Sequence, residues 1–270
     1  MGIRKTDNSG LIQRFWNLKV LIALALALAL LKNCYNNQEV ISPDIETTSE
    51  VAQKTQELSG KTVTIRGKIQ QKVGSSSFTV SDRQFFSVPI VVVNASAKPF
   101  DLPVNKSVEV QVTGLIRNLV ISSLERDFNL RLPEQEYKNF INQPAIIAKS
   151  ILLSPTTNQI TSNPEQYYGT KLAVRGKVEN IQSPVLFTLD NGQWFGTNDL
   201  LVLLNVAPKT VIKQGEIVEV RGVVRPFIVG DIERNYNITW NTRVKNQLKI
   251  NYGNKPVLVA EAVNLSEILR

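Results

Sequence analysis

The stretch GKTVTIRGKI at residues 60–69 returns as GTKLAVRGKV at residues 169–178, and the prediction of the fold starts from this repetition. The similarity continues in phase beyond both stretches. The further matches pair residues 78–80 with 187–189, 91–94 with 202–205, 114–117 with 222–225, 124–130 with 232–238, and 144–148 with 256–260. Similarity that keeps its phase over so many segments indicates an internal repeat. The two copies are predicted to span residues 49–153 and 160–265.

Each copy has the two-residue period of β-strands. Val63, Ile65 and Ile69 alternate with polar residues, so one face of this strand is apolar. In the first copy the pattern predicts strands near residues 61–73, 77–82, 88–94, 107–117 and 144–151, a short helix over 49–58 and a helical segment over 120–130. The fold class is therefore mainly β with minor α, arranged as two tandem five-stranded small barrels.

Gly67 and its counterpart Gly176 fall on the inward phase in the middle of the first strand of each copy. Glycine weakens a strand, so at such a place it usually marks a bulge, a sharp bend or a close approach of another backbone. A strand that bends sharply can serve both sheets of a small barrel.

The short helix, the motif G-K-x-V-x-x-R-G-K-I and the following run of short strands resemble the bacterial OB-fold proteins found among exported, poorly characterised lipoproteins. The resemblance covers both repeats and implies that each is an OB-like barrel of five strands. One feature differs from the family. The helical segment follows the fourth predicted strand, whereas an OB-fold usually places its helix between the third and fourth strands.

The N-terminal 34 residues read as a signal peptide or membrane anchor. Residues 1–19 are basic and polar, and Val20 to Leu31 form an uninterrupted apolar run of 12 residues. This order matches the n-region and h-region of an export signal, and the run is shorter than the roughly 20 residues of a membrane-spanning helix. Residues 35–48 are predicted to be a polar spacer, and residues 154–159 a linker between the copies.

Three fates of this leader remain open. It stays as a signal anchor that is lengthened by Phe15, Trp16 and Leu18, or Cys34 accepts a lipid, or the leader is simply cleaved. Lys32 and Asn33 occupy places where a lipoprotein signal has small residues, and no A-x-A cleavage site follows the run. All three alternatives place residues 35–270 outside the cytoplasm, on the periplasmic face or in the cell envelope.

Composition excludes several kinds of chemistry. Cys34 is the only cysteine and histidine is absent, which excludes an intramolecular disulfide, a thiol–imidazole pair and any histidine-containing metal site. The net charge of +8 falls to +4 for residues 35–270, with 26 basic and 22 acidic residues. The sequence therefore predicts no catalytic residues, no metal site and no cofactor.

The candidate binding residues are cations that recur in both copies. Arg66 and Lys68 share one strand face and are predicted to contact an anionic ligand. The complete candidate face consists of Arg66, Lys68, Arg117, Arg175, Lys177 and Arg225, with Arg126 and Arg234 as further recurring cations. The alternative is that these residues are solvated or form ion pairs with Glu125 and Glu233.

The predicted function is a membrane-anchored, extracytoplasmic binding or scaffold protein without enzymatic activity, whose partner is an unknown protein or an anionic ligand. The rival interpretation is an enzyme, or an enzyme accessory, that acts on envelope polymers. A binder of single-stranded nucleic acid is the third candidate, because the aromatic residues at 85–86 and 194–195 are available for base stacking. Export from the cytoplasm disfavours nucleic acid as the partner.

Overall fold

The computed structural model describes residues 45–82, 89–96, 98–103, 107–190, 199–208 and 210–265. All of them belong to a compact unit of residues 43–270. The predicted leader, Cys34 and the aromatic residues Phe85, Phe86, Trp194 and Phe195 lie outside the described residues. In the described part of the chain, every helix is too short or too polar to span a membrane.

The first copy contains six strands and four helices among its described residues. In chain order they are β1 (Ile45–Glu46), α1 (Thr48–Gln53), α2 (Thr55–Leu58), β2 (Thr62–Val73), β3 (Ser77–Ser81), β4 (Ile90–Asn94), β5 (Glu109–Asn118), α3 (Ile121–Phe128), α4 (Glu134–Tyr137) and β6 (Pro144–Ser154).

The second copy repeats this order from α1 onward, with a 3-10 turn in place of α2. Its elements are α5 (Thr157–Ser162), a 3-10 turn (Pro164–Gln166), β7 (Lys171–Ser183), β8 (Leu186–Leu189), β9 (Leu200–Leu204), β10 (Ile217–Pro226), α6 (Val229–Tyr236), α7 (Thr242–Tyr252) and β11 (Pro256–Leu265).

Strands β2 to β6 form a closed five-stranded barrel. β2 pairs antiparallel with β3 and β5, β3 pairs antiparallel with β4, β4 pairs parallel with β6, and β6 pairs antiparallel with β5. Alternate residues such as Val63, Ile65 and Val110 fill the interior, because the two-residue period turns them all inward. The expectation of a mainly β fold with a five-stranded barrel and minor helices is confirmed.

The strands of the second copy pair in the same sequence. β7 pairs antiparallel with β8 and β10, β8 pairs antiparallel with β9, β9 pairs parallel with β11, and β11 pairs antiparallel with β10. Leu172, Val174 and Phe187 belong to their buried core. A single pairing, Leu153 with Leu172, connects β6 to β7 and so links the strands of the two copies.

A second apolar layer lies on the outer side of each strand set. In the first copy, Leu124 of α3 and Tyr137 of α4 pack with Val91, Val93 and Ile147. In the second copy, the segment that contains α6 and α7 covers the outer side of β9 and β11 in the same way. β4 and β9 are therefore apolar on both faces. The helical segment predicted over residues 120–130 is confirmed as α3, which follows β5. Helices α4 and α7 were not predicted.

Gly67 marks a close approach of backbone. A Cβ at this position would lie 2.4 Å from the carbonyl oxygen of Ser81 on β3, and Gly67 does not have a positive φ. The pairing of β2 with β3 shifts register just beyond it, between Ile69 and Gln71. At Gly176 a Cβ would meet the Leu189 side chain at 3.1 Å, which is less tight. Gly67 therefore allows β2 and β3 to approach each other closely, and the bulge lies at the residues that follow it.

The segment predicted as a linker has regular structure. Ser154 ends β6, and Thr157 to Gln159 lie in α5. The Thr156 hydroxyl accepts the Gln159 N–H at 3.2 Å, and the Gln159 side chain accepts the Thr156 N–H at 2.9 Å. This reciprocal capping box also begins α1, at Thr47. Capping residues share the polar composition of linkers, which is why the sequence pattern suggested a linker here. The domain boundaries themselves stay a prediction.

Candidate functional site

Arg66, the first of the candidate cations, is buried between the two copies. It extends from β2, and only 13% of its side chain is exposed. Its Nη2 donates to Gln111 Oε1 at 2.7 Å and to Glu219 Oε2 at 3.4 Å. Gln111 lies on β5 of the same barrel, whereas Glu219 lies on β10 of the second copy. Arg66 is therefore directed at the other copy rather than at an open ligand face.

Glu219 is the centre of this contact. Its Oε1 accepts hydrogen bonds from Gln111 Nε2 at 2.9 Å and from Arg221 Nε at 3.0 Å, and its side chain is 5% exposed. We call Arg66, Gln111, Glu219 and Arg221 the junction cluster. Three donors converge on one carboxylate, which is how a buried negative charge is stabilised in a protein.

The burial of Arg66 in the junction cluster is energetically unfavourable by itself. Burial lowers the pKa of Arg66 below its ordinary value, while the charges of Glu219 and Glu109 act in the opposite direction. Arg66 Nε is buried without a hydrogen-bond partner. An arginine in this position depends on Glu219, because removing the carboxylate would leave a buried charge uncompensated.

Further contacts join the copies beside the junction cluster. Ser154 Oγ, at the end of β6, donates to the carbonyl oxygen of Ala173 on β7 at 2.8 Å. Gln159 Nε2 donates to Ser107 Oγ at 3.1 Å. Leu153 packs against the buried cores of both copies. The contact between the copies therefore combines apolar packing with directional hydrogen bonds.

Among the other candidate cations, Arg175 lies opposite Glu219 in the pairing of β7 with β10, and its charge contributes to the lowered pKa of Arg66. Arg117 forms an ion pair with Asp127 at 3.0 Å, near the opposite end of β5 from the junction cluster. Six residues of strand separate it from Gln111, which is about 20 Å. Arg175, Lys177 and Arg225 are exposed, and Lys68 is half-buried. Within the described ranges, no carboxylate oxygen lies within 4 Å of these last four cations.

In each recurring Glu–Arg pair, the glutamate and the arginine have different roles. Glu125 Oε1 accepts the backbone N–H of Leu132 at 2.7 Å, and Glu233 Oε1 accepts that of Trp240 at 3.2 Å, seven residues ahead in both copies. Asn129 and Asn237 end α3 and α6 with the same φ of 51°. The repeated glutamate therefore fastens the chain after each helix. The ion pairs proposed between the candidate cations and Glu125 or Glu233 do not form at Arg66, Arg117 or Arg225.

The neighbouring arginines are surface residues. The side chains of Arg126 and Arg234 are each 76% exposed, and each contacts an aspartate of its own helix. The structural role of the glutamate could have been recognised from the asparagine four residues after it, because asparagine favours the left-handed conformation at the end of a helix. Sequence reasoning did not use that signal.

Glu233 also links α6 to α7. Lys245 Nζ lies 2.9 Å from Glu233 Oε2, and this hydrogen bond, followed by that from the Trp240 N–H, lowers the pKa of Glu233 below its ordinary value. A carboxyl group with a lowered pKa stabilises the fold above its unfolded pKa and loses that effect as the pH falls through the folded value. The contact between α6 and α7 should therefore weaken in acid.

We expect Lys245→Met to raise the pKa of Glu233 toward the ordinary value of a glutamate, because the largest cause of the lowering is removed. The measurement is a carboxyl-carbon NMR titration of the full chain. Lys255→Met is the matched control, since Lys255 does not contribute to that shift. An unchanged Glu233 titration in Lys245→Met would contradict the role assigned to this pair.

Two other features bear on ligand binding. Within the described ranges, no group of three or more His, Cys, Asp or Glu side chains is placed to hold a metal ion. A small cleft of about 220 Å³ lies between the β2–β3 turn and residues 100–102 of the first copy, and its lining includes Phe78 and Phe100. Phe78 is buried, and its ring centroid lies 5.7 Å from that of Phe100, with the two rings tilted against each other. This arrangement agrees with packing in the barrel core.

No family model matches the chain, and no curated protein matches it. The solved structures that are similar to parts of it include the following two. The first is a putative aspartyl-tRNA synthetase from Leishmania major Friedlin, with 14% identity and a TM-score of 0.27, covering 44% of this chain and 22% of that one. The second is a multidomain protein with nucleic acid binding domains from Streptococcus pneumoniae TIGR4, with 10% identity and a TM-score of 0.17, covering 62% of this chain and 41% of that one. The chain thus spans less than half the length of either.

Proposed function

We propose that the protein is a membrane-anchored, extracytoplasmic scaffold that presents two OB-like barrels in tandem and binds a partner without catalysing a reaction. The junction cluster is the observation that carries this proposal. Glu219 of the second copy accepts hydrogen bonds from Arg66 and Gln111 of the first copy. Such a contact holds two modules in one orientation, which lowers the entropic cost when a partner binds both.

The use of the repeated charged residues supports the same proposal. Glu125 and Glu233 fasten the segments after α3 and α6, and Arg66 holds the junction cluster. Glu125, Glu233 and Arg66 therefore maintain architecture. Exposed residues such as Arg175, Lys177 and Arg225 are the ones left to meet a partner.

The leader supports the proposed location. The basic residues 1–19 followed by the apolar run Val20 to Leu31 are typical of an export signal. Lipidation of Cys34, retention as a signal anchor and ordinary cleavage remain the three alternatives for its fate. The first two keep the barrels at the membrane surface.

We expect residues 35–270 to resist protease added to intact cells and to be cut once the outer barrier is opened, because export places them beyond the cytoplasm. The measurement is immunoblotting of the full chain after protease treatment, together with its distribution between membrane and soluble fractions. Cross-linking in the same cells then identifies the partner. Recovery of the full chain in the soluble cytosol would contradict the proposed location.

Cys34→Ala is the variant that separates the modes of anchoring. If Cys34 carries a lipid, the substitution blocks maturation and abolishes fatty-acid labelling. Unchanged mass, labelling and membrane retention would assign anchoring to the apolar segment instead. Cleavage of an envelope polymer by the purified full chain would favour the rival interpretation as an enzyme.

A further inference from the structure

The equivalent segments that cover the two strand sets differ in charge. Residues 117–143 of the first copy contain four basic and four acidic residues, whereas residues 225–255 of the second contain six basic and two acidic residues. The net charges are 0 and +4, and +4 is also the net charge of all of residues 35–270. One position shows the change directly. Asp127, which pairs with Arg117, is replaced in the second copy by Asn235, which leaves Arg225 without that carboxylate.

Helix α7 presents part of this excess charge to solvent. Its inner side carries Val244, Leu248 and Tyr252, which pack with the apolar layer over β9 and β11. Lys245 forms an ion pair with Glu233. The opposite side is exposed and consists of Arg243, Asn246, Gln247, Lys249 and Ile250, which we call the α7 face. The helix contains no acidic residue.

Ile250 is the unusual member of the α7 face. It is 82% exposed, the highest value among the large hydrophobic side chains of the described residues. Arg243 precedes it by two helical turns and therefore lies on the same line of the helix, with Lys249 beside it. A branched aliphatic side chain among cations suits a partner that is both anionic at its surface and apolar beneath it.

We propose that the α7 face binds the surface of a membrane that contains anionic phospholipid. Arg243 and Lys249 contact headgroup phosphates, and Ile250 enters the boundary between headgroups and acyl chains. The inference rests on the proposed function in one respect, because the leader is what holds this face near a membrane. Single-stranded nucleic acid fits less well, since its binding surfaces add aromatic stacking to cations and the α7 face offers an aliphatic side chain.

The test uses the full chain reconstituted into vesicles of phosphatidylcholine alone, or of phosphatidylcholine with a third of phosphatidylglycerol. Backbone hydrogen exchange is then measured across α7. We expect exchange to be slower by about fivefold or more in the anionic vesicles, and this protection to disappear in high salt. The double variant Arg243→Glu/Lys249→Glu should abolish the protection.

Two further variants make the result specific. Arg126→Glu/Lys138→Glu makes the same charge change at exposed positions of the first copy and should leave the protection of α7 intact. Ile250→Ser should reduce the protection without altering charge, and as an exposed substitution it leaves the fold in place.

Each remaining outcome is decisive. Equal exchange of α7 in neutral and anionic vesicles, with the chain still retained in both, overturns this inference and leaves the proposed function standing. Loss of the wild-type chain from both kinds of vesicle counts against the anchoring on which the proposed function depends. Protection of α7 by single-stranded DNA or poly-glutamate, in the absence of protection by anionic vesicles, assigns the face to another polyanion and also overturns the inference.

Discussion

Replacing Gly67 by alanine should destabilise the first barrel by about 3 kcal/mol or more. The new Cβ would lie 2.4 Å from the carbonyl oxygen of Ser81 and 2.7 Å from a methyl group of Val80. The oxygen belongs to the backbone of β3, which is held by pairing on both sides. β2 and β3 therefore have to separate before a side chain fits, and Gly67→Val should cost still more.

Gly176→Ala is the matched control for this substitution. The new Cβ would lie 3.1 Å from Leu189 Cβ, so β8 has to move by only a few tenths of an ångström, a smaller shift than the 2.4 Å approach at Gly67 requires. We expect a change of about 1 kcal/mol or less. Denaturant unfolding of the full chain gives the loss of stability, and hydrogen exchange shows whether β2 to β6 lose protection before β7 to β11. Equal costs at Gly67 and Gly176 would contradict the close approach described at Gly67.

Glu219→Ala should cost about 3–5 kcal/mol, the usual penalty for removing one partner of a buried ion pair. The substitution leaves Arg66 buried without its carboxylate and takes the acceptor away from Gln111 Nε2 and Arg221 Nε. Because these donors come from both copies, the loss should appear in the unfolding of the whole unit of residues 43–270. The measurement is denaturant unfolding followed by circular dichroism.

The triple variant Arg66→Met/Glu219→Leu/Arg221→Met is the control, because Glu219 pairs with both arginines. Replacing all partners of a buried ion pair or triad by apolar residues of similar volume is often neutral or stabilising, so we expect the triple variant to recover most of the stability lost in Glu219→Ala. A cost below about 1 kcal/mol for Glu219→Ala would show that the junction cluster is open to water in solution.

The strands could be predicted because their apolar residues alternate with a period of two, and because the repeat allows each pattern to be read twice. β4 and β9 gave a further signal that was not used. Their sequences IVVVN and LLVLL are apolar without alternation, which indicates a strand buried on both faces and therefore a covering layer. Helices α4 and α7 supply part of that layer. Helix α7 is hard to predict from its sequence, because most of its residues are polar and its apolar side is narrow.

The position of Arg66 could not be predicted from its local sequence. Arg66 and Arg175 belong to the same R-G-K motif, yet Arg66 is buried and Arg175 is exposed. The difference arises from residues far away in the chain, because Glu219 lies 153 positions after Arg66. Periodicity tells which face of a strand is polar, but it does not tell which polar face is covered by another module.

Gln111 and Glu219 occupy equivalent positions of the two copies, and they are hydrogen-bonded to each other at 2.9 Å. If the second copies of two separate chains met in this manner, two carboxylates would stand opposed where one amide and one carboxylate now meet, and like charges in a buried contact repel strongly. Two first copies would bring together two amides and two arginines without the carboxylate of Glu219. The pair therefore favours contact between a first copy and a second copy over contact between two like copies, and the covalent link gives the second copy of the same chain the highest effective concentration.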